Sequence, residues 1–230
     1  MSEIFDLEPE FLDLYERCRE QTMTSIERMY ALYSATRYVI DNNIRGDFVE
    51  CGVWRGGSVM LIAATLLQFG RHDRKIWLYD TFSGMTAPSA DDTQSMSGRP
   101  ATAILAEHAK TADDPFWGIA PRFVVDTNLR TTGYPLSNVE IIEGDVLSTI
   151  PLNVPAEIAL LRLDTDWYAS TRHELEHLYP RVVYGGVVIV DDYGYWSGAR
   201  KATDEYFARL SSRPLLNRID YTGRIAVKHQ

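Results

Sequence analysis

The sequence lacks the features that mark membrane-spanning, secreted and nucleic-acid-binding chains. Its longest apolar runs, such as 61–67, are far shorter than the roughly 20 residues that cross a bilayer. The acidic N-terminus has neither the basic nor the apolar region of a signal peptide. No basic run is present and the formal net charge is −9. We therefore expect no nucleic-acid partner and no membrane partner.

Cysteine is also scarce, and one common nucleotide motif is missing. The two cysteines, Cys18 and Cys51, fit neither a zinc site nor a disulfide framework. Free thiols suit a cytoplasmic protein, which is the location we expect. The chain has no Gly-x-Gly-x-x-Gly, which argues against a nicotinamide-linked oxidoreductase.

What the chain does contain is an alternation of apolar strands with helical segments. With 230 residues and 45% hydrophobic content, it can form one large α/β domain around a mostly parallel sheet. Two helices are expected within 1–45, where they would cover one sheet edge, and Thr24 or Ser25 would cap the second of them. The Rossmann-like domain is expected to span 46–230. A role of Thr22 to Thr24 in a lid is the alternative. Helices are expected near 101–110, 122–131, 169–179 and 197–210, strands near 75–80, 139–145, 156–164 and 185–192, and an antiparallel pair near 215–220 and 224–228.

A glycine-rich turn, with glycines at 52, 56 and 57, joins the first strand of this domain to a helix. Glycine permits a positive φ and a close approach of ligand to backbone. The helix that follows presents unpaired N–H groups and a positive dipole end. The turn therefore suits a small polar cofactor, although an ordinary strand–helix connection has the same spacing.

An acid also ends the second strand, at Asp80. In nucleoside-binding α/β folds such an acid accepts hydrogen bonds from ribose hydroxyls, whereas the alternative is a helix cap. The Ser-, Gly- and Pro-rich loop 81–100 that follows is expected to be a lid or partly disordered. Within it, Asp91 and Asp92 are expected at a solvated tip.

Acids likewise end the later strands, at Asp145, Asp164 and Asp191. Ligands bind outside the carboxyl ends of the strands in open α/β sheets. If the fourth and fifth strands are neighbours, four carboxylates meet: Asp164, Asp166, Asp191 and Asp192. Such a cluster favours Mg²⁺ over zinc, with two separate helix caps as the alternative. An extended backbone would point Asp164 and Asp166 the same way, so that one could bind metal while the other acts as a base.

Five segments together resemble the macrocin O-methyltransferase (TylF) family, whose members tailor sugars and phenols in antibiotic biosynthesis. They occur in the family's order over roughly residues 20–210. The segments are Phe48-Val-Glu-Cys-Gly-Val-Trp-Arg-Gly-Gly-Ser58, Tyr79-Asp-Thr-Phe-Ser-Gly-Met85, Leu163-Asp-Thr-Asp-Trp-Tyr-Ala-Ser170, Leu178-Tyr-Pro180 and Gly185-Gly-Val-Val-Ile-Val-Asp-Asp-Tyr-Gly194.

The resemblance implies a class I S-adenosylmethionine-dependent methyltransferase with a mostly parallel seven-stranded sheet. It implies Mg²⁺ held by Asp164, Asp191 and Asp192, with Asp166 as general base and a small-molecule sugar or phenol hydroxyl as acceptor. The cofactor residues it implies are Glu50, Cys51, Gly52, Ser58, Asp80, Thr81, Ser83, Gly84, Met85, Gly144, Asp145, Val146 and Asp164. Those expected near the acceptor, where plain packing is the alternative, are Tyr168, Tyr193, Tyr195 and Trp196.

The chain departs from the family pattern in two respects. The family usually has glycine between the two acids of the Leu-Asp-x-Asp motif, where this chain has Thr165. The chain is also shorter than many members, chiefly at the N-terminus, in parts that shape the acceptor pocket and the dimer contact. A homodimer is expected. Two other functions stay open at this point: methylation of a cell-envelope sugar, and a non-catalytic accessory protein that binds the cofactor.

Overall fold

One sheet organises the chain in the computed structural model, which describes residues 6–112 and 114–229. Its strands are β1 (Asp47–Cys51), β2 (Ile76–Asp80), β3 (Val139–Glu143), β4 (Ile158–Leu163), β5 (Val182–Val190), β6 (Asn217–Arg218) and β7 (Arg224–Val227). The order across the sheet is β3-β2-β1-β4-β5-β7-β6. Strands β1 to β5 are parallel, and β7 pairs antiparallel with both β5 and β6. The predicted seven-stranded, mostly parallel sheet is confirmed.

Helices cover both faces of this sheet. The central strands are therefore buried on both sides, which is why they are mostly apolar. The helices are α1 (Pro9–Cys18), α2 (Ile26–Asp41), α3 (Gly57–Gln68), α4 (Ala101–Leu105), α5 (Arg122–Thr132), α6 (Val146–Thr149), α7 (Tyr168–Leu178) and α8 (Ser197–Ala208). The two helices predicted within 1–45 are α1 and α2, and Ser25 caps α2 by accepting from the Arg28 amide. Both pack into one hydrophobic cluster with α3 and the sheet.

The region predicted as one helix over 101–110 is helical only through Leu105. Beyond that residue the chain makes tight turns, in which the His108 amide bonds to the Leu105 carbonyl. The Trp117 indole donates to the His108 carbonyl, and the Phe116 ring stacks on the His108 ring at 4.1 Å. The segment therefore folds back on itself, because its aromatic side chains pack locally, and the expected length of that helix was wrong.

The strand order determines where ligands can bind. Strand β1 has β2 on one side and β4 on the other, so the chain direction across the sheet reverses at β1. The crevice outside such a switch point is the usual binding place in open α/β sheets. Because β4 and β5 are neighbours, with Leu163 opposite Val190, the acids that follow these strands meet at one edge.

The loop 81–100 is held against the sheet edge by hydrogen bonds to the start of α8. The Thr93 amide bonds to the Ser197 hydroxyl at 2.9 Å, and the Gln94 side chain donates to the Tyr195 hydroxyl at 2.9 Å. Asp92 is 1% exposed and accepts from the amide of Tyr168, the first residue of α7, at 2.7 Å. The expectation of a solvated tip was therefore wrong for Asp92, because its carboxylate binds the positive end of α7.

Gly52, directly after β1, lies against the backbone of the turn that follows β4. It has a φ of +82°, and an added Cβ would lie 1.9 Å from the Asp164 carbonyl oxygen. The glycine therefore lets the turn after β1 contact the turn after β4.

In the described residues, no helix is both long and apolar enough to cross a membrane.

Gly52→Ala should consequently cost far more stability than Gly70→Ala. Both glycines have a positive φ, which costs an alanine about 1 kcal/mol, but Gly70 has no atom within 4 Å of an added Cβ. Chemical denaturation should show the larger loss for Gly52→Ala, with weaker S-adenosylhomocysteine binding in that variant alone. Equal losses of stability for both variants would contradict the close contact.

Candidate active site

A cavity of about 380 Å³ lies outside the carboxyl ends of strands β1 to β5. Its size falls in the range of small-molecule sites. The predicted residues that line it are Gly52, Ser58, Asp80, Thr81, Gly84, Met85, Gly144, Asp145, Val146, Asp164, Asp166, Asp191, Asp192, Tyr195 and Trp196. Most of the predicted site thus meets in one place.

The glycine-rich turn and Asp80 form the central wall of the cavity. Asp80 Oδ2 accepts from the backbone amides of Val53 and Trp54 at 2.6 and 3.1 Å, and Oδ1 accepts from the Phe82 amide at 2.7 Å. Burial raises the pKa of Asp80, while these backbone donors counteract the rise. The acid therefore fixes the conformation of the turn after β1 and still presents its carboxylate to the cavity.

Asp145 forms one end of the cavity and also caps α6. Its side chain accepts from the Leu147 amide at 2.9 Å. Gly144, just before it, has a φ of +139° and bonds through its amide to the Asp80 carbonyl. Asp145 is therefore both a helix cap and a cavity-lining residue.

Three further acids meet at the other end of the cavity. Carboxylate oxygens of Asp164, Asp191 and Asp192 all lie within 4.8 Å of one another. Asp164 and Asp192 are therefore close enough to repel each other when both are ionised. The buried Oδ2 of Asp192 has no hydrogen-bond partner among residues 6–112 and 114–229. Such an arrangement requires either a shared proton or a cation.

Asp166 faces the same end of the cavity from a turn, where the sequence suggested an extended chain. Its φ is +68°, and the Trp167 amide bonds to the Thr165 carbonyl at 2.8 Å. The condition under which Asp164 and Asp166 would point the same way, an extended backbone, is therefore not met, because the chain turns tightly here and leads directly into α7. Asp166 Oδ1 accepts from the Trp196 indole at 2.8 Å, which aims the carboxylate into the cavity.

Sequence reasoning did not identify Arg162, a buried cation near the carboxyl end of β4. Its guanidinium donates to Glu50, which is its cross-strand neighbour on β1. It also bonds to Asp191 at 2.7 Å and to Asp164 at 2.8 Å, and it is 3% exposed. An arginine inside an otherwise apolar strand was the signal, since a buried charge requires partners.

Arg28, on α2, is a second buried cation that the sequence did not reveal. It donates to Asp191 Oδ2, and its Nε lies 3.1 Å from Asp220. Asp220, in the turn before β7, also accepts from the Ser25 hydroxyl at 2.8 Å. The N-terminal helix therefore contributes directly to the acidic end of the cavity.

The carboxyls of this cluster outnumber its cations. Burial raises the pKa of Asp164 to about 6, against the effect of Arg162. Burial and the nearby Asp164 charge raise the pKa of Asp166 well above its usual range. Burial together with Asp166 and Asp164 raises the pKa of Asp192 in the same way. The site therefore has a deficit of positive charge at neutral pH.

Two tyrosines predicted near the acceptor lie outside the cavity. The Tyr168 hydroxyl donates to Glu205 at 2.7 Å, and the Tyr193 hydroxyl donates to Asp204 at 2.8 Å. Tyr193 also lies between two arginine guanidiniums on the outer surface. Their rings therefore pack on α8, which was the alternative considered, whereas Tyr195 and Trp196 do line the cavity.

Three of the predicted cofactor residues also do not line the cavity. Glu50 and Cys51 are completely buried at the end of β1, and Ser83 is exposed to solvent. Glu50 lies beneath the floor, where it pairs with Arg162. The structure therefore places Glu50 and Cys51 as supports of the floor.

Several lining residues that the sequence did not single out surround the cavity with apolar surface. These additional lining residues include Trp54, Phe116, Trp117 and Tyr221. They lie beside two residues that the sequence did indicate, Met23 of the possible lid and Met85, whose amide bonds to the Trp117 carbonyl at 2.9 Å. They come from segments far apart in the chain, and no single motif indicates them.

The fold is that of the class I S-adenosylmethionine-dependent methyltransferases. The family model for macrocin O-methyltransferases (TylF) matches residues 17–226. The chain therefore belongs to the macrocin O-methyltransferase family, as its motifs predicted, and it is an O-methyltransferase.

Named relatives agree with this membership. The chain is 33% identical over 205 residues to demethyldecarbamoylnovobiocin O-methyltransferase of Streptomyces niveus, covering 88% of this chain and 73% of the relative. It is 32% identical, with the same coverage, to 8-demethyl-8-(2,3-dimethoxy-alpha-L-rhamnosyl)-tetracenomycin-C 4'-O-methyltransferase of Streptomyces olivaceus. It is 29% identical to mycinamicin III 3''-O-methyltransferase of Micromonospora griseorubida, covering 88% of this chain and 76% of the relative.

A solved structure is similar over most of the chain. The O-methyltransferase NovP superposes with a TM-score of 0.79 at 31% identity, covering 91% of this chain and 83% of that protein. The calicheamicin methyltransferase CalS11, at 18% identity and a TM-score of 0.65, covers 96% of this chain and 93% of that protein and shares the fold. The predicted fold class is thereby confirmed.

The charge deficit predicts an unusual pH dependence for the protein in chelator. A carboxyl with a raised pKa binds more protons when folded, so it contributes stability at low pH that is lost as pH rises. For Asp164 the stability is lost between pH 3.8 and about pH 6, and for Glu50 between pH 4.5 and about pH 8. Asp192→Asn removes one of the repelling carboxyls. As the pH rises from about 5 to about 8, this variant should lose about 1 kcal/mol less stability than the wild type, which corresponds to roughly one pKa unit.

The measurement is urea denaturation in EDTA at several pH values. Asp13→Asn, which removes an exposed acid on α1, is the matched control and should follow the wild type. If the stability of Asp192→Asn fell more steeply with rising pH than that of the wild type, the cluster would carry no excess negative charge.

Proposed function

We propose that the protein transfers a methyl group from S-adenosylmethionine to a hydroxyl of a sugar or phenolic natural-product intermediate, with Mg²⁺ as a second cofactor. The observation that carries the proposal is the cluster of Asp164, Asp191 and Asp192 beside Asp166, at one end of the cavity. Asp80, in the central wall, and Asp145, at the opposite end, suit a nucleoside.

The nucleoside would lie along the first three strands. Asp80 suits the ribose hydroxyls, and Gly144 to Val146 suit the adenine. The turn after β1, with Gly52 and Ser58, would hold the methionine part. Bound S-adenosylmethionine would supply an electrophilic methyl group on its sulfonium. The residues of the chain then act mainly by alignment and by excluding water.

The residues of the acidic end fit a magnesium ion. Oxygen ligands without histidine or cysteine are those that Mg²⁺ prefers. Oδ2 of Asp192 has no hydrogen-bond partner in the described part of the chain, and burial raises the pKa of Asp164, so both groups would be stabilised by an added positive charge. Asp191 would share its oxygens with Arg28 and Arg162, which already bond to it. Bound Mg²⁺ would supply Lewis acidity, which lowers the pKa of an acceptor hydroxyl.

Asp166 is the residue best placed to accept the acceptor proton. Its carboxylate faces the cavity, and the Trp196 indole fixes its orientation. Burial and the Asp164 charge raise its pKa, which makes it a stronger base once it is ionised. A cation beside Asp164 would weaken that repulsion and so favour ionisation of Asp166 at neutral pH.

The apolar walls support a ring-bearing acceptor. The indole of Trp117, the phenol of Tyr221 and the side chains of Tyr195 and Trp196 offer flat apolar surfaces for a sugar or phenol. Two relatives are named for sugar positions, a 4'-hydroxyl of a rhamnosyl group and a 3''-hydroxyl of mycinamicin III. A glycosidic sugar hydroxyl is therefore the first acceptor class to test.

Asp166→Asn should retain S-adenosylhomocysteine binding and lose turnover by about 10²–10⁴-fold, the usual contribution of a general base. The assay measures transfer from methyl-labelled S-adenosylmethionine to a panel that includes methyl rhamnosides and catechol. Asp204→Asn is a control, because Asp204 bonds to Tyr193 outside the cavity. Full turnover by Asp166→Asn would exclude it as the base.

Removal of metal should abolish turnover in the same assay and leave cofactor binding intact. EDTA followed by dialysis should reduce transfer to background, and added Mg²⁺ should restore it. The physical reason is that the three acids that would hold the metal lie at one end of the cavity, away from the nucleoside end. Unchanged turnover in chelator would rule out a metal requirement.

A further inference from the structure

Glu174 is a fully buried carboxyl that the reaction, as described so far, does not use. It lies on α7, is 0% exposed, and is surrounded by apolar residues of the sheet and helix core. Its Oε1 accepts from the Thr165 hydroxyl at 2.9 Å. Cys51 is a further polar neighbour of this carboxyl, and the Oε2 atom has no hydrogen-bond partner among the residues that the structure describes.

Burying an acid in this way is unfavourable, so its retention needs a reason that packing does not supply. A leucine of similar volume would remove the desolvation cost and fill the same space. Burial raises the pKa of Glu174 to about 8, so the side chain is chiefly the neutral acid at neutral pH. The feature worth preserving is therefore its hydrogen bond to Thr165.

Thr165 stands in the turn that carries the two central acids of the site. It lies between Asp164, at the metal-binding end, and Asp166, whose φ is +68°. The Thr165 carbonyl accepts from the Trp167 amide at 2.8 Å and from the Ser170 hydroxyl at 3.1 Å. The bond to Glu174 fixes the side chain of the same residue from below. The turn is thus held at three points, although its left-handed residue is not a glycine.

Cys51 connects the same carboxyl to the cofactor turn. Its carbonyl accepts from the Asp164 amide at 2.8 Å, and the residue lies directly before Gly52. An added Cβ on Gly52 would contact the Asp164 carbonyl, so the two turns touch. Glu174 is therefore adjacent both to the turn that lines the cofactor end and to the turn that carries Asp166.

We propose that Glu174 is a positioning residue, which holds the 164–166 turn through the Thr165 hydroxyl and so aligns Asp166 with the acceptor. The proposal rests on the role of Asp166 given above. Threonine at 165, where family members usually have glycine, supplies the hydroxyl that this bond requires. Misplacement of a reacting group by about 1 Å can cost about 10²-fold in rate.

The test compares Thr165→Val, which deletes only the hydroxyl, with Thr203→Val as the matched control. Thr203 is also 0% exposed, and its hydroxyl bonds to the Ala199 carbonyl at 2.7 Å within α8. Thr165→Val should lower kcat by about 10- to 100-fold and leave KM for S-adenosylmethionine within about twofold. Thr203→Val should leave kcat unchanged, even if both variants lose similar stability.

Two conservative variants and one measurement without acceptor complete the design. Thr165→Ser keeps the hydroxyl and Glu174→Gln keeps the acceptor oxygen, so both should retain kcat within about threefold. Hydrogen exchange of the peptide spanning 164–167 should accelerate about tenfold in Thr165→Val and not in Thr203→Val, an effect of local opening.

The hydrogen-exchange result does not depend on the acceptor, the metal or the identity of the base. If exchange accelerated in Thr165→Val while kcat stayed normal, the hydrogen bond to Glu174 would stabilise the turn, but the proposed role in aligning Asp166 would be wrong. Unchanged exchange and unchanged kcat in Thr165→Val would overturn the whole proposal. Loss of kcat in Thr203→Val to the same extent would also overturn it, since the effect would then be general.

Discussion

The buried guanidinium of Arg162 is the interaction on which the rest of the site depends. It joins Glu50 at the end of β1, Asp164 after β4 and Asp191 after β5. Three adjacent strands therefore end in acids that one cation holds together. Removal of either partner of such a buried pair typically costs about 3–5 kcal/mol, because the remaining charges lose their compensation.

The guanidinium of Arg162 cannot compensate all of the negative charge at this edge, so other groups must contribute. Arg28 brings a second cation from the N-terminal helix, and it links Asp191 to Asp220 before β7. Among the residues that the structure describes, no cation pairs with Asp192 or Asp166, and burial with the neighbouring acids raises the pKa of both. This arrangement is the basis of the proposed magnesium site and of the proposed base.

The sequence was sufficient to predict the sheet, the strand-end acids and the family, because each rests on a local pattern or a motif. It could not place Arg28, since no local pattern relates a residue of α2 to one that follows β5. It did not resolve the orientation of Tyr193, which follows two cavity acids in the chain but turns outward onto α8. It also misjudged Asp92, whose burial depends on the start of α7, about 76 residues later.

The most direct test of this account is calorimetric titration of the metal-depleted protein with Mg²⁺, in buffers of different ionisation enthalpy. If the carboxyls of Asp164, Asp166 and Asp192 lack a cation, binding should occur at one site and release protons near pH 6, since their pKa values fall when the ion binds. Binding should weaken sharply in Asp192→Asn. Absence of binding, or binding without proton release, would contradict the account, because the carboxyls would then already be compensated within the protein.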